Sequence, residues 1–217
     1  MTSADAFITR VRQALGRDSA AVPPPPPQLD ERLIRTLAAD ENLAARFQSQ
    51  AQAAGLEVSR SETERLADHL LAMLRDAGCK SAALPRSTLL DTLQIADRLR
   101  DAGIDARAWD QLQADDLFDI DVGITDCFAA IAETGSVVIR ANPDHGRGLS
   151  LVPPLHIAIV QPRDLVADLL DALRRLKEVG VGSGAVIITG PSKTTDIEGN
   201  LVIGVHGPGR VHTILVE

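Results

Sequence analysis

Apolar positions along this chain follow two rhythms, and the rhythm changes near the middle. In the first half, short apolar runs alternate with stretches of helical spacing. Leu56-Glu57-Val58, Lys80 to Leu84 and Ile104 to Trp109 predict strands, and Ser61 to Gly78 and Thr88 to Ala102 predict the helices between them. Ser61, with Glu64 three residues on, has the form of a capping box, which satisfies orphan N–H groups at a helix start. Upstream, Leu33, Ile34, Leu37, Leu43 and Phe47 give partial helical spacing over Asp30 to Ala54, with Gly55 as the stop. This β-α-β-α-β order predicts an α/β sheet with right-handed crossovers.

Beyond Trp109 the apolar runs shorten. Asp121 to Thr125 leads to two runs, Ala129 to Ala132 and Ser136 to Ile139, which flank Glu133-Thr134-Gly135 as strand, turn and strand. Asn142 to Gly148 is a polar loop. Leu155 to Val160 predicts a buried strand, and Asp164 to Glu178 a helix closed by Gly180. Ala185 to Thr189, Leu201 to Val205 and Val211 to Val216 predict the last strands. The first half has the character of a scaffold, and the second half carries the polar loops.

At the N-terminus, Ala4 to Leu15 predicts a short helix with Phe7, Ile8, Val11 and Leu15 on one face. The unbroken run Pro23 to Pro27 favours extended polyproline II and acts as a spacer. The expected organisation is a helix and linker over 1–27, followed by one α/β domain over 28–217.

Composition narrows the class. Of 217 residues 45% are hydrophobic but only 2% aromatic, so Ala, Val, Leu and Ile must build the core. That bias fits helices packed on a buried parallel sheet. The net charge of -8, the lack of a basic block and the few rings for base stacking argue against a nucleic-acid partner. No segment approaches the roughly 20 apolar residues that span a bilayer, so the chain is not expected to cross a membrane. Asp5 and Arg10 interrupt the stretch where a signal peptide needs apolar residues. Cys79 and Cys127 form no spaced motif, which predicts reduced thiols in a cytoplasmic protein. Two cysteines cannot hold a four-thiolate iron–sulfur cluster, so no cofactor is expected in this chain.

The candidate chemistry concentrates in two loops beside the late strands. Thr189-Gly190-Pro191-Ser192-Lys193-Thr194-Thr195-Asp196-Ile197-Glu198 combines backbone N–H groups, hydroxyls, an ammonium and carboxylates, a composition suited to phosphate or carboxylate. It lacks the spacing of a P-loop. His206-Gly207-Pro208-Gly209 follows an apolar run, where a strand-end histidine acts as a proton acceptor. Glu133 sits at its turn beside Thr134 and Gly135, small residues that allow a ligand close approach. The expected catalytic residues are Glu133, Asp196 and His206. The expected substrate contacts are Thr134, Gly135, Arg147, Gly190, Ser192, Lys193, Thr194 and Gly207. His145 joins Arg147 as a weaker pair in the loop before Gly148, His156 and His212 read as core histidines, and no metal is expected.

Five segments occur in order: Val122 to Thr125, Ile131 to Ser136, Leu149 to Pro153, Thr189 to Glu198, and Gly204 to Pro208. Together they resemble the LUD domain and, more closely, the lactate utilization protein C family, over roughly Leu56 to Glu217. The resemblance implies a fold similar to the sugar-phosphate isomerase and CoA-transferase group, a mainly parallel sheet with helices on both faces. It also implies a subunit of an L-lactate to pyruvate oxidising system. Two partner proteins would then carry the iron–sulfur clusters, and the substrate would be a small carboxylate. Relatives of that fold use a strand-end glutamate in CoA transfer, and Glu133 resembles it, but the companion glycine loops are not recognisable here. The alternative is a stand-alone transferase or isomerase acting on a phosphorylated or CoA-linked small molecule.

Overall fold

The computed structural model describes residues 3–17, 24–25, 27, 30, 35–195 and 198–217. Contacts divide the chain into two units, Met1–Arg35 and Thr36–Glu217. In the first unit, α1 (Ser3–Ala14) is the expected helix, and Phe7, Ile8 and Val11 are exposed along it. The proline run lies partly outside the described residues.

The second unit is built on a six-stranded parallel sheet. Its strands are β1 (Glu57–Ser61), β2 (Ser81–Leu84), β3 (Asp105–Ala108), β4 (Val122–Asp126), β7 (Leu155–Val160) and β12 (Arg210–Val216), in the order β1-β12-β7-β4-β2-β3. One face carries α3 (Leu66–Asp76), α4 (Thr88–Thr92) and α5 (Ile95–Asp101), whose Leu70, Leu90 and Leu99 meet Ile124, Ile157 and Ile214 in one core. The other face carries α2 (Leu43–Ala53) and a second sheet of β8 (Leu165–Val166), β5 (Ala129–Ile131), β6 (Ser136–Ala141) and β9 (Gly184–Ile188). Phe47 of α2 joins Val137, Ile139, Ala158 and Leu215 in that core. The short helix α6 (Gly148–Leu151) precedes β7, and helix α7 (Leu169–Val179) covers the far side of the second sheet through Ala172 and Leu176. Every residue of β7 is buried, because both faces of the strand are covered; this is why its sequence is a continuous apolar run.

Four predicted helices differ from expectation. Helix α2 begins only at Leu43, because Asn42 caps it by accepting the Ala45 N–H at 3.0 Å; residues 35–42 are not helical. Ser61 is no helix cap. It stays extended as the last residue of β1, paired with Val216, and α3 starts after a single 3-10 turn over Thr63–Arg65. The expected helix Thr88 to Ala102 is broken at Gln94, whose φ of 52° is left-handed. The break lets Leu90 and Ile95 both point into the core. Likewise Leu165–Val166 is drawn into the second sheet beside β5, so α7 starts at Leu169, capped by Asp168.

Candidate functional site

The glycine turns that carry the expected chemistry rest on the end of α2. Gly135 has φ of 67°, and a Cβ there would lie 2.0 Å from the Ala51 nitrogen. Gly190 has φ of 95°, and its Cβ would lie 2.5 Å from the Ala54 carbonyl oxygen. Both positions therefore require glycine. Because β6 and β9 are antiparallel neighbours, their polar ends meet. Thr134 Oγ1 lies 2.6 Å from Ser136 Oγ, which lies 2.7 Å from Thr189 Oγ1, forming a chain of hydroxyls. The Ser192 N–H donates to the Pro208 carbonyl at 2.8 Å, drawing the His206–Pro208 loop alongside. Together Ser150, Thr189, Gly190, Ser192, His206 and Gly207 line a cavity of about 220 Å³.

Other expected residues do not line that cavity. Lys193 Nζ donates to the Ala54 carbonyl at 3.4 Å and is exposed. Thr194 pairs with Val202 in the hairpin of β10 (Lys193–Thr195) and β11 (Leu201–Ile203). Arg147 is exposed and lies beside Gly184 at the start of β9. Glu133 Oε1 accepts the Thr36 hydroxyl at 2.5 Å, while its N–H donates to Ala167. Asp196 lies outside the described residues. The sequence places these loops beside the late strands of one α/β sheet, but β9 belongs to the second sheet and β11 to a separate hairpin. His206 precedes β12, at that strand's N-terminal end.

The true strand-end crevice lies elsewhere. Strand order reverses around β2, which has β3 on one side and β4 on the other. Ligands of open α/β sheets bind outside the carboxyl ends at such a switch point. Here Asp126 ends β4 and Ser87 follows β2. His145 Nε2 lies 3.4 Å from Asp126 Oδ1, and the Ser87 hydroxyl also bonds this carboxylate. Burial pushes the Asp126 carboxyl up, but the bonds from His145 and Ser87 outweigh it and hold it below the ordinary value.

Local geometry fixes His145. Asn142 and His145 exchange backbone bonds of 3.1 Å in each direction, and Asn142 Oδ1 accepts the Asp144 N–H at 2.8 Å. The Arg86 N–H holds the Asp144 carbonyl at 2.9 Å. Gly146 is pressed on Trp109, where a Cβ would come within 2.0 Å of the indole. His145 is left 7% exposed. With Asp126, Cys127, Phe128, Arg140 and Asn142 it lines a cavity of about 160 Å³. Burial, with Asp164 and Asp126 nearby, pushes the Cys127 thiol well up, so it is a protonated wall group and no nucleophile. Neighbouring His156 is fully buried, 2.9 Å from Thr125 Oγ1, and burial brings it down to about 3. It is a core histidine, as expected.

His212 is no isolated core group. Ser59 Oγ lies 2.8 Å from both His69 Nε2 and His212 Nε2, and His212 Nδ1 lies 3.3 Å from Glu57 Oε2. Burial lowers the pKa of His212 despite that carboxylate. The network ties α3 to β1 and β12. Sequence reasoning passed over Asp126, Ser87, Arg140 and Asn142 as site groups. The available signal was a carboxylate at the carboxyl end of an apolar strand. Among the described residues, no group of His, Cys, Asp or Glu is placed to hold a metal, and no helix is long and apolar enough to cross a membrane.

Two packed sheets, one parallel and one mixed, with polar loops at their strand ends, define an α/β protein. Known proteins place it further. The LUD domain model matches residues 44–216. A lactate utilization protein C of Exiguobacterium sp. strain AT1b is 30% identical over 100% of this chain and 97% of its own. One from Bacillus licheniformis is 29% identical over 98% of this chain and 95% of its own, and one from Oceanobacillus iheyensis 37% identical over 45% and 44%. A crystal structure of a DUF162 family protein from Deinococcus radiodurans shares the fold, with a TM-score of 0.60 and 22% identity over 81% of this chain and 96% of that one. The chain belongs to the LUD domain family and, within it, to the family of lactate utilization protein C.

Proposed function

We propose that this chain acts in lactate utilization, as the substrate-binding subunit of an iron–sulfur L-lactate oxidising system. Full-length similarity to proteins named lactate utilization protein C supports the role. The observation that carries the binding assignment is the convergence of Thr189, Gly190, Ser192, His206 and Gly207 on one cavity of about 220 Å³. Lactate would sit there with its carboxylate toward the Ser192 hydroxyl and the glycine backbone. His206 would accept the hydroxyl proton, with Asp196 orienting it, while the α-hydrogen and the electron pair of its bond leave for the redox acceptor on the partner proteins. Lys193 and Arg147 would act from the rim, supplying positive charge that draws the anion in. Thr134, Ser136 and Thr189 would brace the wall through their hydroxyl chain, with Gly135 and Glu133 fixing the turn. Clusters and electron acceptor would reside on two partner proteins, and the complex would work in the cytoplasm.

The test is lactate-dependent dye reduction by the three co-expressed proteins, with this chain present, absent, or carrying His206→Asn. Activity should need the chain and fall at least about 100-fold in the variant, the usual scale of a positioned acid–base group. Activity indifferent to the chain would sink the lactate assignment. Activity that needs the chain but tolerates His206→Asn, and Asp196→Asn beside it, would leave a scaffold.

A further inference from the structure

Helix α1 has no part in the packing or the cavities of the α/β unit. It spans 12 residues, Ser3–Ala14, and every position from Ala4 to Arg17 is exposed. Phe7 is 65% exposed and Leu15 60%. Isolated helices of this length are marginal in water, and most helices in proteins are held by packing of an apolar face. The exposed stripe of α1 therefore calls for a surface that covers it.

The order of residues says which surface. At 3.6 residues per turn, Phe7, Val11, Leu15 and Ile8 fall within an arc of about 100°. Arg10 and Arg17 border that arc on one side, and Arg12 borders it on the other. Asp5, the one acidic residue of the helix, lies on the Arg12 flank. Residues 3–17 thus hold three arginines and one aspartate, in a chain whose net charge is -8. Cations on both borders of an apolar stripe suit a helix lying flat in a headgroup layer. The apolar side chains enter the acyl boundary, and the long arginines reach up to the phosphates. A protein groove would need carboxylates along both rims to match, whereas an anionic lipid layer presents negative charge on every side. At 1.5 Å per residue the helix measures about 18 Å, short of the roughly 30 Å of a bilayer's apolar core, so it is built to lie on a membrane and not to cross one.

We propose that α1 is a peripheral anchor that binds the surface of an anionic lipid bilayer. Phe7, Ile8, Val11 and Leu15 are its apolar contacts, and Arg10, Arg12 and Arg17 its contacts to lipid phosphate. The expected spacer, Pro23 to Pro27, separates this anchor in sequence from the acidic remainder of the chain, which an anionic surface repels. The inference does not rest on the lactate reading.

The experiment is vesicle flotation of the full chain. One set of vesicles holds phosphatidylglycerol and phosphatidylcholine in equal parts, and the other phosphatidylcholine alone. The intact chain should float with the mixed vesicles and bind the neutral ones at least about tenfold more weakly, since each arginine near an anionic surface contributes about fivefold. High salt should release it. Phe7→Ser combined with Val11→Ser should weaken the partition at least about 100-fold. Arg12→Gln alone should weaken it about fivefold. An unchanged urea-unfolding midpoint checks that the core is intact in each variant. Failure of the intact chain to float, equal binding to neutral vesicles, or undiminished binding in the double variant would each overturn the proposal. Sedimentation supplies the remaining outcome. If vesicles are ignored while the double variant dissociates an oligomer of this chain, or its complex with the two partner proteins, α1 is a protein-docking element and the anchor is refuted. Dye reduction by lactate uses a soluble acceptor, so the lactate assignment stands or falls separately.

Discussion

In the strand-end crevice, each polar group is fixed by the core beneath it. Asp126 ends a buried strand, His145 sits on a loop clamped by Arg86 and Trp109, and Gly123 lets the Leu149 carbonyl lie against β4. The 189–208 region is the opposite case. Its Gly190 turn rests firmly on the end of α2, but beyond Ser192 the hairpin leaves Leu201, Ile203 and Val205 exposed. Polar residues abound in both places. In the first, burial and partners hold them throughout; in the second, partners hold them only from Thr189 to Ser192. Richness of chemical groups and organisation of chemical groups are separate properties, and preorganisation follows the core.

The sharpest way to break that comparison is to place the same methyl group in each region. In Gly123→Ala the new Cβ would lie 1.7 Å from the Leu149 carbonyl oxygen, a backbone atom. We expect a loss above about 5 kcal/mol, which for a typical domain means little folded protein. In Gly199→Ala the space is open and only the φ of 86° opposes a side chain. The expected cost is about 1 kcal/mol. Urea denaturation of both variants measures the contrast, and equal losses would erase it.

Next in size is the acid response of the crevice floor. His156 falls from an ordinary 6.5 to about 3 on burial. The unfolded chain therefore binds a proton that the folded chain refuses between those values. Stability from this group is complete above pH 6.5 and is lost as pH falls toward 3. The linked change is on the order of 5 kcal/mol. Replacing His156 with Gln should flatten the acid limb of a stability–pH curve measured by urea unfolding. An unchanged limb would mean that the ring is not buried neutral.

A smaller effect separates the bonds of the two regions. Asp126→Asn removes the charge that His145 and Ser87 bond, and should cost about 1–3 kcal/mol near neutrality. Because the folded carboxyl is held below its ordinary 3.8, that contribution is present above pH 3.8 and fades as pH falls through the folded value. Thr134→Ala removes one link of a half-exposed hydroxyl chain and should cost under about 1 kcal/mol. A thermal-unfolding comparison that reversed this order would place the better organised network in the loops.

Much of the fold was legible because burial on two faces leaves a local mark. Leu155 to Val160 is apolar throughout, and Glu133-Thr134-Gly135 interrupts two apolar runs where a turn must fall. The partner of each strand left no such mark. Ala185 to Ile188 reads as a strand in either sheet, and only packing against β6 decides that it joins the mixed one. The polar loops beside the late strands therefore do not fall at the carboxyl ends of the parallel sheet. The composition of Thr189 to Ser192 and its contact with His206–Pro208 were visible, since glycine turns and small hydroxyls declare themselves. The role of His145 was not, because it depends on Asp126, and no spacing in the sequence links a loop histidine to a carboxylate on another element. The helix expected over Asp30 to Ala54 erred through the cap at Asn42, a local signal outweighed by apolar spacing.

The smallest predicted effect bears on the hairpin itself. Leu201 is 62% exposed and Ile203 54% exposed, so neither side chain contributes much burial to the folded chain. Replacing both with Ser should change stability by less than about 0.5 kcal/mol, as for surface positions without partners. The same double change at Ile131 and Ile139, which are fully buried, should prevent folding. If the Leu201 and Ile203 pair instead lowers the melting temperature of the isolated chain by several degrees, the hairpin is packed in solution. The 189–208 region would then be as firmly held as the crevice, and the exposure that separates them would belong to neither.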